Sequence, residues 1–465
     1  MSLTDNTAME LRPCLVRAGS PAARMAAVLA AGGVLLGGCA TYHALPLPKK
    51  ADLAASATAA APATGAVPAT LDLARVGSLA VARAPSLAAA RAKARVAKAH
   101  AYAAGLLPDP SLSFSLDHPF NGGAPSDHHN AWSAGLAESL VGLITHGDVH
   151  SAASAKYAES LLSWRWQAEQ VALKARVTYL DVWSTRRQVR ALKIERREAR
   201  AALQGALKAH AAGALPAALF RQAQQQAATA RSRLQKARDH EVTLEQTLAD
   251  LLRVKAGHRW QLRAPPTASA PAAATVHAAI ARLPAHRLDL LALQAGYRSA
   301  DRRLRADILA QFPILDIGFT RSRDNTGVNS VGFGVTLRLP IFDGNRGKIA
   351  VDRATRKALN AAYQAHLDGA ENRIRATWRR LRLARHELAA ARAQLPALAS
   401  TAHAARSASA VGAVTRLQEY GALTAWLDAR IDADRLRATA LQLELTLRTL
   451  LATGAGSAPV RRTST

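Results

Sequence analysis

Val331-Gly332-Phe333-Gly334-Val335-Thr336-Leu337-Arg338-Leu339 alternates without a fault. Val331, Phe333, Val335, Leu337 and Leu339 fall on one side of an extended chain, and Gly332, Gly334, Thr336 and Arg338 on the other, because successive strand side chains point to opposite faces. One face is therefore dry and the other wet. An ordinary half-buried sheet satisfies the same pattern, so the surrounding sequence has to decide what the dry face meets. Working outward, Ile314 to Thr320, after Phe312-Pro313, is the strand expected to pair with it across an Asp/Asn/Gly-rich loop. A second pair lies far upstream: Ser111-Leu112-Ser113-Phe114-Ser115-Leu116, after Pro108-Asp109-Pro110, and Trp132-Ser133-Ala134-Gly135-Leu136.

Each strand pair leads into very long helices. From about Asp148 to His210 there is no proline, and a helix of that length stretches on the order of 90 Å at ~1.5 Å per residue. That exceeds any compact domain of this size. The returning segment carries Leu234, Ala237, Leu244, Leu248 and Leu251. The C-terminal one carries Leu436, Ala440, Leu443, Leu447 and Leu450, spaced 4, 3, 4, 3. This is the seam of a coiled coil. Landmarks recur at one offset of 199: Tyr179 with Trp378, Gly213 with Gly412, Ala237 with Leu436, Leu244 with Leu443, Leu248 with Leu447 and Leu251 with Leu450. A common offset marks an internal repeat. The organisation is then a first repeat over 71–262, a Pro-rich linker over 263–276, a second repeat over 277–455 and a disordered tail over 456–465.

The N-terminus adds a location. Arg12, Arg17 and Arg24 precede the small apolar run Met25 to Ala31, which continues through Val34-Leu35-Leu36. Residues 1–38 read as a signal peptide, since the apolar core is too short for a permanent span. Leu36-Gly37-Gly38-Cys39 resembles a bacterial lipobox, which makes Cys39 the lipidation site. Ala40 follows where an inner-membrane retention signal places Asp, so the resemblance implies delivery to the outer membrane. Cys14, the other of the two cysteines, is lost on processing, and no disulfide is possible. The long basic region before the apolar run suggests translation from Met9 or Met25. Residues 39–70, with Leu45-Pro46-Leu47-Pro48 and an Ala/Pro/Thr tract, read as a lipid-anchored tether.

A membrane context changes the meaning of the alternation. The mature sequence has no run of roughly 20 strongly apolar residues, so a helical span is not expected. In lipid a sheet must have no free edge, and four strands cannot close when the smallest single-chain barrels use roughly eight. The chain must oligomerise to satisfy its backbone. Composition argues against the other classes. The net charge of +28 raises nucleic acid as a partner, but Lys and Arg are spread along helices with Asp and Glu between them, and no stacking or helix-turn-helix motif accompanies them. No nucleophile elbow, paired catalytic carboxylates, P-loop or metal-hydrolase spacing is present, so the chain is read as no enzyme, with no cofactor. A periplasmic coiled-coil adaptor or scaffold without a pore is the alternative.

The body from about 71 to 455 resembles the TolC-like outer-membrane factor (outer membrane efflux protein) family. Arg287-Leu288-Asp289-Leu290, with the helix that follows to Phe312-Pro313-Ile314-Leu315, resembles the family's passage into its strand. His286-Arg287-Leu288-Asp289 stands where Arg-Pro-Asp-Leu is commoner. Leu339-Pro340-Ile341-Phe342-Asp343-Gly344-Asn345-Arg346-Gly347-Lys348-Ile349-Ala350 is similar to the family's strand-to-helix exit, in wording closer to its heavy-metal cation branch than to its drug branch. Pro340, Gly344 and Gly347 are expected to make that bend. The resemblance implies a mainly α fold with membrane β: a homotrimer whose twelve strands form one barrel continuing into an α-helical barrel in the periplasm. It implies a passive exit channel for metal cations or drugs, docked to a periplasmic adaptor and an inner-membrane RND-type pump.

By that analogy Gly213, Leu215 and Pro216, and Gly412, Thr415, Arg416, Gln418 and Glu419, sit at the periplasmic tips as candidate gate or adaptor-docking residues. Plain solvated helix is the alternative for them. Ala217-Ala218 stands where the family often has an acidic residue. His118, Asp127, His128 and His129 cluster in the first strand–strand loop, and His146 and His150 flank the expected first strand-to-helix bend. Metal capture needs converging ligands, so no metal site is assigned to them.

Overall fold

The computed structural model describes residues 70–120, 129–255, 257–258, 260–312 and 314–451, with 42, 44, 45 and 47. The signal peptide, Cys39, most of the tether, Asp127, His128 and the C-terminal tail lie outside the described residues. In chain order the elements are β1 (Thr70–Leu71), α1 (Leu73–Arg83), α2 (Pro85–Ala104), β2 (Ser111–Asp117), β3 (Ala131–Ser139), α3 (Leu140–Ala211), α4 (Ala217–Leu252), β4 (Gln261–Leu262), α5 (Ala273–Ala281), α6 (Leu283–His286), α7 (Leu288–Leu309), β5 (Ile314–Arg323), β6 (Asn329–Arg338), α8 (Arg346–Ala410) and α9 (Arg416–Leu450).

Two of these helices dominate. α3 has 72 residues and α8 has 65, lengths of about 108 and 98 Å at ~1.5 Å per residue. Neither could stand alone as a soluble rod. α3 packs against α1, α2, α4, α7 and α9, while α8 packs between α7 and α9. The expected onset of α3 near Asp148 is corrected: the helix begins at Leu140, directly after β3 ends at Ser139. His146 and His150 therefore lie inside the helix, not about a bend.

α9 explains how the repeats hold together. Its foreseen seam, through Ala440, Leu443, Leu447 and Leu450, packs with Ile374 and Leu381 of α8 and with Leu283 and Leu290. A neighbouring seam, through Ala438, Leu441 and Leu445, packs into the first repeat with Tyr179, Leu180, Val182, Leu248 and Leu252. One helix thus serves two coiled-coil partners, which a single heptad register does not reveal.

The middle of the molecule is closed by a clasp. β1 pairs in parallel with β4, Thr70 opposite Gln261 and Leu71 opposite Leu262. The hydroxyl of the fully buried Tyr179 lies 3.1 Å from the Leu71 carbonyl and 2.5 Å from that of Arg263. Burial, reinforced by the Asp72 carboxylate, pushes the Tyr179 hydroxyl up to about 12, so it stays a donor. The Pro-rich linker is likewise pinned. Glu444 accepts from the backbone and hydroxyl of Ser269, both at 2.8 Å, and Trp378 Nε1 donates to the Pro271 carbonyl at 3.1 Å. Its last residues, from Ala273, already belong to α5.

Candidate functional site

The four long strands form one sheet in the order β2-β3-β5-β6, with every neighbour antiparallel. The repeats meet in its middle, where β3 pairs with β5. Cross-strand rows then fix two unlike faces. Leu112, Leu136, Phe319 and Phe333 form one row, and Leu315 and Leu337, then Ile317 and Val335 with Glu138 in their row, continue that face. Its large side chains are exposed: Phe114 and Phe333 each at 71%, Leu112 at 80%. The opposite face carries Ser113, Gly135, Thr320 and Gly332 in one row, and Ser115, Ser133, Ser322 and Ser330 in the next.

Size as well as polarity separates these faces. A Cβ at Gly135 would stand 2.8 Å from Ser113 Oγ and 3.2 Å from Thr320 Cγ2. The small-residue face is tight at Gly135 and Gly332, where a Cβ would stand 3.0 Å or less from a neighbouring hydroxyl, and open at Gly334. The apolar face is bare, and a contiguous exposed patch of this kind marks an interaction surface. β2 and β6 each leave one edge unpaired, and open edges seek further strands. Because strand direction alternates across all four, β6 and β2 present edges of opposite direction.

The exit from β6 into α8 is a tight corner. Gly344 and Asn345 are consecutive left-handed residues, with φ of 53° and 57°. The Asn345 side-chain amide donates to the Asp307 carbonyl at 2.7 Å, and Arg346 Nη2 donates to the Phe342 carbonyl at 2.8 Å. Here the sequence expectation is adjusted. Pro340 lies just past the strand and Gly344 turns the chain, but Gly347 sits in the first turn of α8, and Asn345 supplies the second left-handed position. Asn tolerates that region better than other side chains, a signal available in the sequence.

Both tips close in the same way. Gly213 and Gly412 have φ of 75° and 77°. Ala214 N–H donates to the Ala209 carbonyl at 2.9 Å, and Ala413 N–H to the Ala408 carbonyl at 2.8 Å. This is a left-handed helix C-cap repeated at the same offset. Beyond it the tips differ. In the first, His210 Nδ1 donates to the Leu215 carbonyl at 2.8 Å, its ring stacks on Phe220 at 4.9 Å, and Pro216 caps α4. In the second, Thr415 and Gln418 form a capping box: Gln418 Oε1 accepts from Thr415 N–H at 2.8 Å and Thr415 Oγ1 from Gln418 N–H at 3.2 Å. Arg416 pairs with the buried Glu419 at 2.8 Å. The structure gathers all eight tip residues at two hairpin ends and engages Thr415, Arg416, Gln418 and Glu419 in local bonds.

Two charge clusters were not foreseen. About four turns above the tips, Arg233 of α4 donates to Glu195 of α3 at 2.9 Å and also bonds Asp428 of α9. Glu195 is 2% exposed. Burial raises its carboxyl, Arg233 lowers it, and Asp428 raises it again, for a net upward shift. Nearer the sheet, Arg287 grips Asp289 through two bonds of 2.7 and 2.9 Å, and His366 of α8 adds a third at 2.8 Å. The Arg287 guanidinium lies over Trp166 of α3 at 5.3 Å. Burial pushes Asp289 up, but the bonds from Arg287 and His366 outweigh it and leave the carboxyl below its usual range. The Arg-Leu-Asp-Leu motif is therefore a pin joining α3, α7 and α8. Among the described residues no three His, Cys, Asp or Glu side chains converge as metal ligands.

Two repeats of strand pair and giant helical hairpin, sharing one four-stranded sheet, define the TolC-like fold class. Residues 279–453 match the family model described as outer membrane efflux protein, and the described body has the TolC-like fold. The Campylobacter jejuni CmeC outer membrane channel superposes with a TM-score of 0.68 at 16% identity, covering 82% of this chain and 86% of that one. CusC, solved in a study of folding and transmembrane channel formation, gives 0.66 at 17% identity, covering 82% and 91%. The outer membrane protein VceC of Vibrio cholerae gives 0.66 at 16%, covering 82% and 96%. No curated protein sequence matches the chain.

Proposed function

We propose that this chain is one protomer of a passive outer-membrane exit channel serving a tripartite efflux system. The observation that carries the reading is the sheet: two open edges, one exposed apolar face and one face of small, mostly polar residues. A closed barrel satisfies the edges, sets the apolar face in lipid and the polar face around water. Three copies would supply twelve strands. The channel performs no chemistry and offers a wet passage, and metal cations or drugs are the substrates proposed. The tips would meet a periplasmic adaptor and, through it, an inner-membrane RND-type pump. Cys39, lipidated, would fix the N-terminus to the outer membrane.

The test is direct. Purified from outer membranes, the protein is expected as a heat-sensitive oligomer that conducts ions in planar bilayers. A soluble periplasmic monomer with no conductance would favour an adaptor or scaffold instead. Palmitate labelling is expected in the wild type and lost in Cys39→Ala; label that persists in the variant removes the anchor.

A further inference from the structure

The apolar face of the sheet does not end alike at its two ends. Toward the helices it stays apolar beyond the last strand residue, with Leu339, Ile341, Phe342 and Phe312 exposed at 58, 72, 90 and 66%. Toward the strand–strand loops it becomes basic. Along β5 the residues on that face run Leu315, Ile317, Phe319, Arg321 and Arg323, with Ala134 opposite Arg321 and Trp132 opposite Arg323. From Val331 to Leu339 the strand rises about 26 Å at ~3.3 Å per residue, or about 20 Å of height at a tilt of roughly 40°. Arg321 pairs with Val331, the last residue of that run, and Arg323 lies one step beyond it opposite Asn329, so the two arginines mark the loop-side end of the apolar face.

Asp324, next to Arg323 in sequence, is folded onto its own loop, accepting from the Thr326 N–H, the Thr326 hydroxyl and the Val328 N–H at 3.0, 2.7 and 2.9 Å. Arg323 Nε is buried without a hydrogen-bond partner, and Arg321 is exposed. The two loops are tied where His129 N–H donates to the Asn325 carbonyl at 3.3 Å, and His118 bonds Asn130 at 2.7 Å beside them. Guanidinium groups beside a tryptophan, at the loop end of an apolar sheet face, suit bidentate phosphate held at a membrane surface.

We infer that Arg321 and Arg323, beside Trp132, form a docking site for the phosphorylated headgroup of an outer-leaflet lipid. The site rests on the channel reading, because it needs the apolar face in a bilayer. Its orientation follows from the asymmetry: the basic rim belongs to the leaflet away from the helices.

The experiment is native mass spectrometry of the full-length oligomer in nonionic detergent, titrated with bis-phosphorylated lipid A, its dephosphorylated form, or phosphatidylcholine. The bis-phosphorylated lipid should bind most tightly. Arg321→Gln with Arg323→Gln should weaken it about 25-fold, roughly five-fold for each guanidinium lost near a charged surface, and leave phosphatidylcholine unchanged. Arg321→Lys with Arg323→Lys should keep most of the preference. Equal binding of phosphorylated and dephosphorylated lipid by the wild type overturns the site, and that arm needs no variant to fold. Displacement of the lipid by millimolar inorganic phosphate would also overturn it, as a free-ion site. Wild-type protein that conducts but shows no headgroup preference refutes only this site; protein that neither oligomerises nor conducts refutes the channel reading beneath it.

Discussion

Neighbouring residues on opposite faces of β6 allow a matched test. Val335 lies near the middle of the apolar face, 55% exposed and paired with Ile317, while Thr336 lies on the polar face, paired with Asp316. If the apolar face meets lipid, Val335→Arg places a guanidinium near the bilayer midplane at a cost of about 2–4 kcal/mol per chain. Losing the Val–Ile cross-strand pair adds about 0.5 kcal/mol. A ring of three chains then loses roughly 8–13 kcal/mol, near the whole stability of an ordinary domain. Thr336→Arg inserts the same group beside Asp316, in water, and should cost within about 0.5 kcal/mol. Oligomer survival in SDS against temperature and urea-induced unfolding from vesicles measure the first quantity. Single-channel conductance and ion selectivity measure the second, where Thr336→Arg should shift the pore toward anions. Equal costs for the two arginines, or a harmless Val335→Arg, would refute the assignment of faces.

Three further outcomes follow from local geometry. Gly412→Val forces a β-branched side chain into a left-handed position, so the tip should lose about 1–2 kcal/mol, read as faster hydrogen exchange over 408–416; Gly347→Ala, inside a helix, should be neutral or stabilising by up to about 1 kcal/mol. Arg233→Met leaves the buried Glu195 facing Asp428 with no cation between them. Discounted for the partial exposure of Arg233, the loss should be about 2 kcal/mol, with Glu195→Gln recovering part of it in chemical denaturation. The two clusters should also respond oppositely to acid. The lowered carboxyl of Asp289 contributes stability above its unfolded value, and that is lost as pH falls through its folded value. The raised carboxyl of Glu195 binds its proton more tightly when folded, so acidification stabilises there. Comparing wild type with Asp289→Asn and Glu195→Gln between pH 3 and 7 should show slopes of opposite sign.

Much of this architecture was legible in the residues because its elements are long and regular. Alternation placed all four strands to within a few residues, and the 4-3 leucine spacing found the seam of α9 that faces α8. What escaped detection depends on contacts between distant segments. The start of α3 was missed because Leu140 to Gly147 is as compatible with strand as with helix, and only the register against β5 fixes where the sheet stops. Arg233 was invisible for another reason: in helices crowded with arginine, which one faces inward depends on how three helices are rotated about one another. Glu195 and Asp428, 38 and 195 residues away in sequence, carry no local mark of sharing it. The tip glycines stood out because their conformation, unlike a contact, is a property of the residue itself.

Each repeat brings two strands of opposite direction, so a half-length chain would present the same up-down pair as the full one. Six such half-chains would have the same strand count and polarity as three whole ones. Fusion into a tandem therefore demands no new hydrogen-bonding rule. What it grants is freedom for the two halves to drift apart: the first now runs from strand to helix without a corner and the second keeps its Gly344–Asn345 elbow, an individuality that a ring of six identical pieces could never acquire.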